Sequence, residues 1–397
     1  MLKKRLKSFD YSLLVVYLLL SVFGLIMVYS ASMVIAIQIY NKSSNFFFER
    51  QLLNLIIAFI ALVFATLFPY RKLQAKGFLK IIVLGSIAIL FILFFMGKNV
   101  NNAQSWLGIG FRNIQPAEFV KLGMIIYMAA VYAKKQPYIN NFNKGVIPPI
   151  VFLVFICFLV AQQPDLGTAG IIFVTGIVIV FCSGMNWKNI TRLLLLGVLI
   201  VGVFSPFIIW KQDSIFTETR MGRLYSYKDP FKYEVDEGLQ LVNSYVALGT
   251  GGWKGVGLGK SMQKLGYLPE AHTDFIMAVI AEELGVFGVL FVLFGLGYII
   301  LKGIYIGMKS KDPFGSLLAF GISGMIGIQM FINLGGVSGM IPITGVTLPF
   351  ISYGGSSLLI LSISLGLLMN ISSYANLEHN SGKAKREENK KSKQLFV

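Results

Sequence analysis

The sequence predicts an all-α polytopic membrane protein with about ten transmembrane helices and one large extracellular loop. Three observations carry that expectation. Hydrophobic residues make up 55% of the 397 residues and charged residues only 13%, which is more apolar surface than one soluble core could hide. Apolar runs able to cross about 30 Å of hydrocarbon recur along the whole chain. In lipid such runs are helices, because each backbone group must find its partner within its own segment. Lys and Arg, finally, cluster in alternate short connections, the asymmetry that orients helices across a bilayer.

Taken in order, the spans are expected near Tyr11 to Ile37, Leu52 to Phe68, Leu79 to Met96 and Ala117 to Ala133, with Pro69 and Tyr70 closing the second. Three more follow near Val146 to Ala161, Thr168 to Gly184 and Leu193 to Trp210. A long polar interval from Lys211 to Thr273 then breaks the pattern, and three last spans lie near Phe275 to Leu301, Phe314 to Asn333 and Leu348 to Ile371. The stretch from Gly335 to Ser357, rich in Gly and Ser and carrying Pro342 and Pro349, reads as re-entrant or broken helix. Such backbone is tolerated at membrane depth only inside protein or along a wet cavity.

Basic residues precede the first span (Lys3, Lys4, Arg5, Lys7) and follow the second, fourth, sixth and eighth, whereas 163–167 and 335–347 have none. Both termini are therefore expected in the cytoplasm and the long interval outside. The net charge of +17 is on this reading topological and not a nucleic-acid signal. Residues 1–377 form the membrane domain; 378–397, with Lys383, Lys385, Arg386, Lys390, Lys391 and Lys393, read as a disordered basic tail beside the anionic inner leaflet. The first span is too long for a removable signal peptide. Cys157 and Cys182 fall inside spans and imply neither disulfide nor metal.

Polar residues that lipid should exclude mark candidate function. Glu118 and Lys121, three apart near the outer end of the fourth span, share a helical face. They are either a structural ion pair or the wall of a polar cavity that meets substrate. The loop before them includes Trp106 and Gln115. Asp165, in a tight outer hairpin, reads as a turn or cap residue. Glu282 and Glu283, two turns into the eighth span, need partners, through structural pairing or proton relay. The long loop carries Arg220, Arg223, Gln240 and Lys264, and its cations suit a lipid-anchored, phosphorylated substrate as well as they suit a solvated surface.

The densest group of reactive side chains is at the end of that loop, where Glu270, His272, Thr273 and Asp274 meet an apolar helix. Asp274 could simply cap that helix. Its company supports a second reading, in which the carboxylate takes a proton from a sugar hydroxyl during an inverting displacement.

Several of these stretches together resemble the SEDS family of cell-shape, division and sporulation proteins (FtsW, RodA and SpoVE). They are Leu268-Pro269-Glu270-Ala271-His272-Thr273-Asp274-Phe275, Gly257-Leu258-Gly259 with Lys264, and the run from Leu348 through Ser352 to Ser357. Gln115-Pro116-Ala117-Glu118 with Lys121, the hairpin from Gln163 to Thr168, and Gln240 to Ser244 complete the set. The wording of the first motif is similar to the division branch. The resemblance implies a ten-helix peptidoglycan glycosyltransferase that polymerises lipid II at the outer face of the bacterial cell membrane. It further implies a class B penicillin-binding protein and other divisome proteins as partners, and the septum as the place of work. The family's catalytic Asp maps onto Asp274, and its intramembrane Glu and Lys onto Glu118 and Lys121. Ser105, before Trp106, departs from the Arg that many members carry there.

On that basis Asp274 is the expected general base. Lys121, Arg220, Arg223 and Lys264 are expected to stabilise the leaving diphosphate, with a divalent cation (Mg or Mn) as a further aid, although no metal-ligand cluster of recognisable spacing is present. Trp106, Gln115, Glu118, Gln240, Glu270, His272, Thr273 and Ser352 complete the expected substrate contacts. Rival readings are a lipid II flippase, a scaffold that recruits a synthase, and an elongation or sporulation paralogue of the same polymerase.

Overall fold

A computed structural model describes residues 7–100, 103–109, 112–163, 165–210, 218–234 and 238–394. Its helices are α1 (Tyr11–Gln38), α2 (Phe46–Leu67), α3 (Lys76–Met96), α4 (Pro116–Lys134), α5 (Ile147–Ala161), α6 (Leu166–Cys182) and α7 (Trp187–Trp210). After these come α8 (Glu218–Lys228) and α9 (Leu239–Gly251), both within the long loop, and then α10 (Ile276–Lys309), α11 (Pro313–Val337) and α12 (Gly355–Gln394). Ten apolar helices, α1 to α7 and α10 to α12, correspond to the ten expected spans.

Local sequence explains where several of them begin. Pro116 and Pro313 stand in the first turns of α4 and α11, where a missing N–H costs nothing. The Asp312 and Asp165 side chains accept from Gly315 N and Thr168 N, capping α11 and α6. The packing is centred on α11, which lies against α4, α6 and α10, while α12 runs along α2. The membrane-crossing window of α12 is 83% buried and that of α3 only 11%, so α3 lies at the edge of the bundle.

Many buried polar groups inside the bundle are paired, as a low-dielectric interior favours. Tyr17 and Ser362 are joined at 3.0 Å, and Asn370 Nδ2 donates to Thr66 O at 2.7 Å. Asn376 Nδ2 donates to Ser8 O at 2.9 Å, and Lys309 Nζ donates to Asn376 Oδ1 at 2.7 Å. The two ends of the membrane domain therefore meet on one face of the bundle.

Four features differ from the sequence reading. Residues 98–114 carry a small antiparallel sheet, β1 (Lys98–Val100), β2 (Ala103–Ile109) and β3 (Arg112–Ile114), in the order β1-β2-β3. The stretch from Ser338 to Gly354 contains no helix and runs as irregular backbone between α11 and α12. Leu348 to Gly354 is therefore not the start of the last span, because Pro349 and a left-handed Phe350 (φ 64°) prevent a helix there. At the other end α12 continues through the basic segment to Gln394 where a disordered tail is expected. Ala, Lys, Arg and Glu are good helix formers, and a helix already under way needs no new nucleus.

The fourth difference is a break in α10. Gly285 has φ 63° and ψ −155°, and a Cβ there would stand 2.5 Å from Trp253 O, so only glycine fits. The freed carbonyls of Glu282 and Glu283 accept from Val256 N and Gly257 N, both at 2.9 Å, and Val286 N donates to Gly252 O at 3.1 Å. The Gly255-Val256-Gly257 run is thus a patch on a broken helix.

Just below the break, Glu283 Oε1 pairs with Lys264 Nζ at 2.7 Å. Ser30 Oγ of α1 donates to the same carboxylate at 2.7 Å. Glu282 accepts from Ser261 Oγ and, at 2.9 Å, from Met262 N. Of the two readings of Glu282 and Glu283, structural pairing is what the fold contains. Lys264→Met leaves a buried, uncompensated carboxylate and should destabilise by about 3–5 kcal/mol, read as a fall in melting temperature in detergent. The double variant Lys264→Met/Glu283→Leu should recover most of that loss.

Candidate active site

Asp274 is set by a tight turn on the face of the bundle opposite the termini. Glu270 adopts a left-handed conformation (φ 55°), and its carbonyl accepts from Thr273 N at 3.1 Å and Phe275 N at 3.3 Å. Thr273 Oγ1 donates to Glu270 Oε2 at 2.5 Å. The turn leaves Asp274 one residue short of the cap position of α10, which Phe275 occupies with no side-chain capping bond. The capping reading of Asp274 is therefore not what the structure contains.

Instead the half-buried Asp274 lines a cleft with Phe275, Ile332, Asn333, Ile343, Thr344 and Gly345. Gly345 (φ 74°) runs so close that a Cβ would lie 3.4 Å from Asp274 Oδ2. Burial among these groups is the largest influence on the carboxyl. Glu270 and Asp165 push in the same direction and Arg223 pulls back, and the pKa is raised to about 7. A carboxyl so placed exchanges a proton near neutrality.

A second layer holds the turn. His272 is buried, its ring 4.5 Å from that of Phe47 and 5.6 Å from that of Tyr353, and burial lowers its pKa. The imidazole is a packed wedge, and the main-chain carbonyl of His272 accepts from Tyr353 N at 3.0 Å. Ser352 Oγ donates to Thr273 O at 2.6 Å and accepts from Leu348 N at 2.8 Å. Gln51 of α2 donates to Ser352 O at 3.2 Å. Asn333 of α11 donates to Asp274 O and Val346 O, both at 2.7 Å.

The Gln115 end of α4 adjoins this layer. Gln115 Nε2 donates to Asp165 Oδ2 at 2.9 Å, and Gln115 N donates to Ser356 Oγ at 3.1 Å. Lys121 and Glu118 pair at 2.8 Å. Lys121 also reaches Gln329 Oε1 at 3.4 Å, and Gln329 Nε2 donates to Thr347 O at 3.1 Å. The ion pair is thus linked through one amide to the loop that lines the Asp274 cleft.

Of the residues expected from sequence, Glu270, Thr273, Arg223 and Asp274 come together, with Gln115 joined to them through Asp165. His272 and Ser352 shape the turn from behind. Lys264 is a correction. It is 1% exposed and neutralised by Glu283, because a cation on this buried face is stable only when paired. Trp106 is half-buried in β2, opposite Lys98, and Gln240 is half-buried on α9. The Arg220 side chain lies outside the described residues. Among the described residues no group of three or more His, Cys, Asp and Glu side chains could hold a metal ion. Sequence reasoning missed Gln51, Gln329 and Asn333, three amides inside apolar helices, and it read Asp165 as a turn or cap residue.

A family model described as Cell cycle protein, spanning FtsW, RodA and SpoVE, matches residues 10–377. The chain belongs to that family. It is 57% identical to the probable peptidoglycan glycosyltransferase FtsW of Bacillus subtilis, over 96% of this chain and 95% of that protein. It is 39% identical to stage V sporulation protein E of the same organism, over 92% and 97%. Among solved structures, one described as a peptidoglycan synthase complex that coordinates polymerization and crosslinking matches with a TM-score of 0.72 at 24% identity, covering 92% of this chain and 97% of that one. Thermus thermophilus RodA matches with a TM-score of 0.64 at 23% identity, over 92% and 96%. These structural likenesses confirm the FtsW/RodA/SpoVE fold.

Ser352→Ala removes the acceptor of one buried main-chain N–H and the donor to a carbonyl next to Asp274. It should lower stability by roughly 1–3 kcal/mol, measurable as a shift in thermal unfolding of the detergent-purified protein.

Proposed function

We propose that this chain is a peptidoglycan glycosyltransferase that polymerises lipid II at the outer face of the bacterial cytoplasmic membrane, with Asp274 as general base. The observation that carries the reading is a carboxyl with its pKa raised to about 7, in a cleft at the bundle face opposite both termini. The curated relative of 57% identity is named for the same activity. Asp274 takes the proton of the acceptor's GlcNAc 4-hydroxyl. The freed oxygen pair forms a bond to the anomeric carbon of the donor MurNAc as the bond to undecaprenyl pyrophosphate breaks, and the configuration inverts. To Arg223, close enough to influence Asp274, we assign the departing diphosphate, with Arg220 as the second cation that the sequence offers. Lys121 and Lys264 already serve carboxylates of their own.

The termini belong on the cytoplasmic side by the Lys and Arg distribution. A class B penicillin-binding protein is the expected transpeptidase partner, since a glycan polymerase serves a wall only when its strands are crosslinked. Similarity to an FtsW favours work at the division septum. A flippase would place its essential chemistry on Glu118 and Lys121 and would not need Asp274.

The test is strand formation from lipid II by the purified protein with its partner synthase. Asp274→Asn should lose a factor on the order of 10² to 10⁴, and equal strand formation by the variant overturns the assignment. Activity should rise with pH as Asp274 ionises, with a limb near pH 7. Glu270→Gln removes a like charge and should move that limb to lower pH. Arg223→Gln removes an opposite charge and should move it to higher pH.

A further inference from the structure

Asn333 has a polar atom that neither the fold nor the proton transfer uses. Its Nδ2 donates to Asp274 O and Val346 O, each at 2.7 Å. Both partners are carbonyl oxygens that only accept, so the amide cannot be turned round: nitrogen must face them and Oδ1 must face away. That oxygen is buried and has no hydrogen-bond partner among the described residues, in a side chain 3% exposed. Asn333 lines the same cleft as Asp274; of its neighbours there, Ile332, Val337 and Ile343 have no side-chain donor, and the Thr344 hydroxyl does not donate to it. An acceptor stripped of water and left unpaired raises the free energy of the empty site. It thereby favours a ligand that brings an N–H or O–H to it and rejects one that does not.

We propose that Asn333 Oδ1 is a substrate-binding acceptor that takes a hydrogen bond from an amide N–H or a hydroxyl of the sugar held against Asp274. The proposal rests on the polymerase reading. One amide then holds the main chain of the general base on one side and the saccharide on the other. A shift of α11 would move both together, which keeps the distance between base and sugar fixed.

The test uses the full-length protein with its partner synthase, comparing wild type with Asn333→Leu. The substrates are native lipid II and analogues lacking in turn the acetamido N–H and each free hydroxyl other than the 4-hydroxyl. For native substrate, KM should be about tenfold higher in Asn333→Leu, with a smaller change in kcat. A single analogue should raise the wild-type KM by a similar factor and be indifferent to the substitution, which identifies the donor as amide or hydroxyl. Asn333→Asp keeps an acceptor oxygen and should retain the wild-type ranking of substrates even where its melting temperature falls; it carries the test if Asn333→Leu does not fold. The proposal is overturned if KM for native substrate stays within about twofold of wild type while the melting temperature drops, or if every analogue is discriminated equally by wild type and variant. Asn333 then serves the main chain alone. If the wild type makes no strands from native lipid II, the polymerase reading falls and this one with it.

Discussion

Irregular backbone packed among membrane helices needs protein partners wherever burial cuts its amides and carbonyls off from water, and the stretch from Ser338 to Gly354, buried at Val346 and from Leu348 to Ser352, is where this fold meets that demand. A buried group left unsatisfied costs several kcal/mol. The answers come from side chains on two helices: Gln329 and Asn333 from α11, and Gln51 from α2. Asp274 is part of the same arrangement, since its carbonyl shares Asn333 with Val346. The position of the reactive carboxyl is therefore inherited from the solution to a solvation problem.

The charges of the protein divide into two kinds by the same logic. Lys264 with Glu283 and Lys121 with Glu118 are neutralised within the bundle and contribute order. Asp274 has no such cation at bonding distance among the described residues, and Arg223 only tempers the influence of burial and of Glu270. A carboxylate that met a lysine directly would be ionised at every physiological pH and a poor proton acceptor. Keeping the cations engaged elsewhere is part of what keeps Asp274 basic.

Much of this was legible in the sequence. Hydropathy located the ten spans because lipid allows no other reading of long apolar runs. The spacing of three between Glu118 and Lys121 foretold their pairing. The crowding of Glu270, His272, Thr273 and Asp274 pointed to the site. Asn333, Gln329 and Gln51 stayed hidden because a lone amide in an apolar helix has no periodic partner, and its role depends on which loop carbonyl comes to lie beside it. Lys264 misled for the opposite reason, since a lysine in a polar loop reads as solvated until α1 and α10 are seen to close over it. The strands of residues 98–114 were too short to stand out beside the helices around them, although Trp106, Leu107 and Ile109 are β-formers. The break at Gly285 was masked because glycine is common in membrane helices and rarely interrupts them.

That break has a mechanical meaning. On the Asp274 side of Gly285, α10 is hydrogen-bonded to Val256 and Gly257 and is anchored by Ser261, Met262 and Lys264 through its two glutamates, while the first residue beyond the break, Val286, is tied to Gly252. The short piece between Asp274 and Gly285 is thereby tied to residues 256–264 by main-chain and side-chain bonds alike. That segment of the long loop and the turn that carries Asp274 are therefore coupled through one short length of helix.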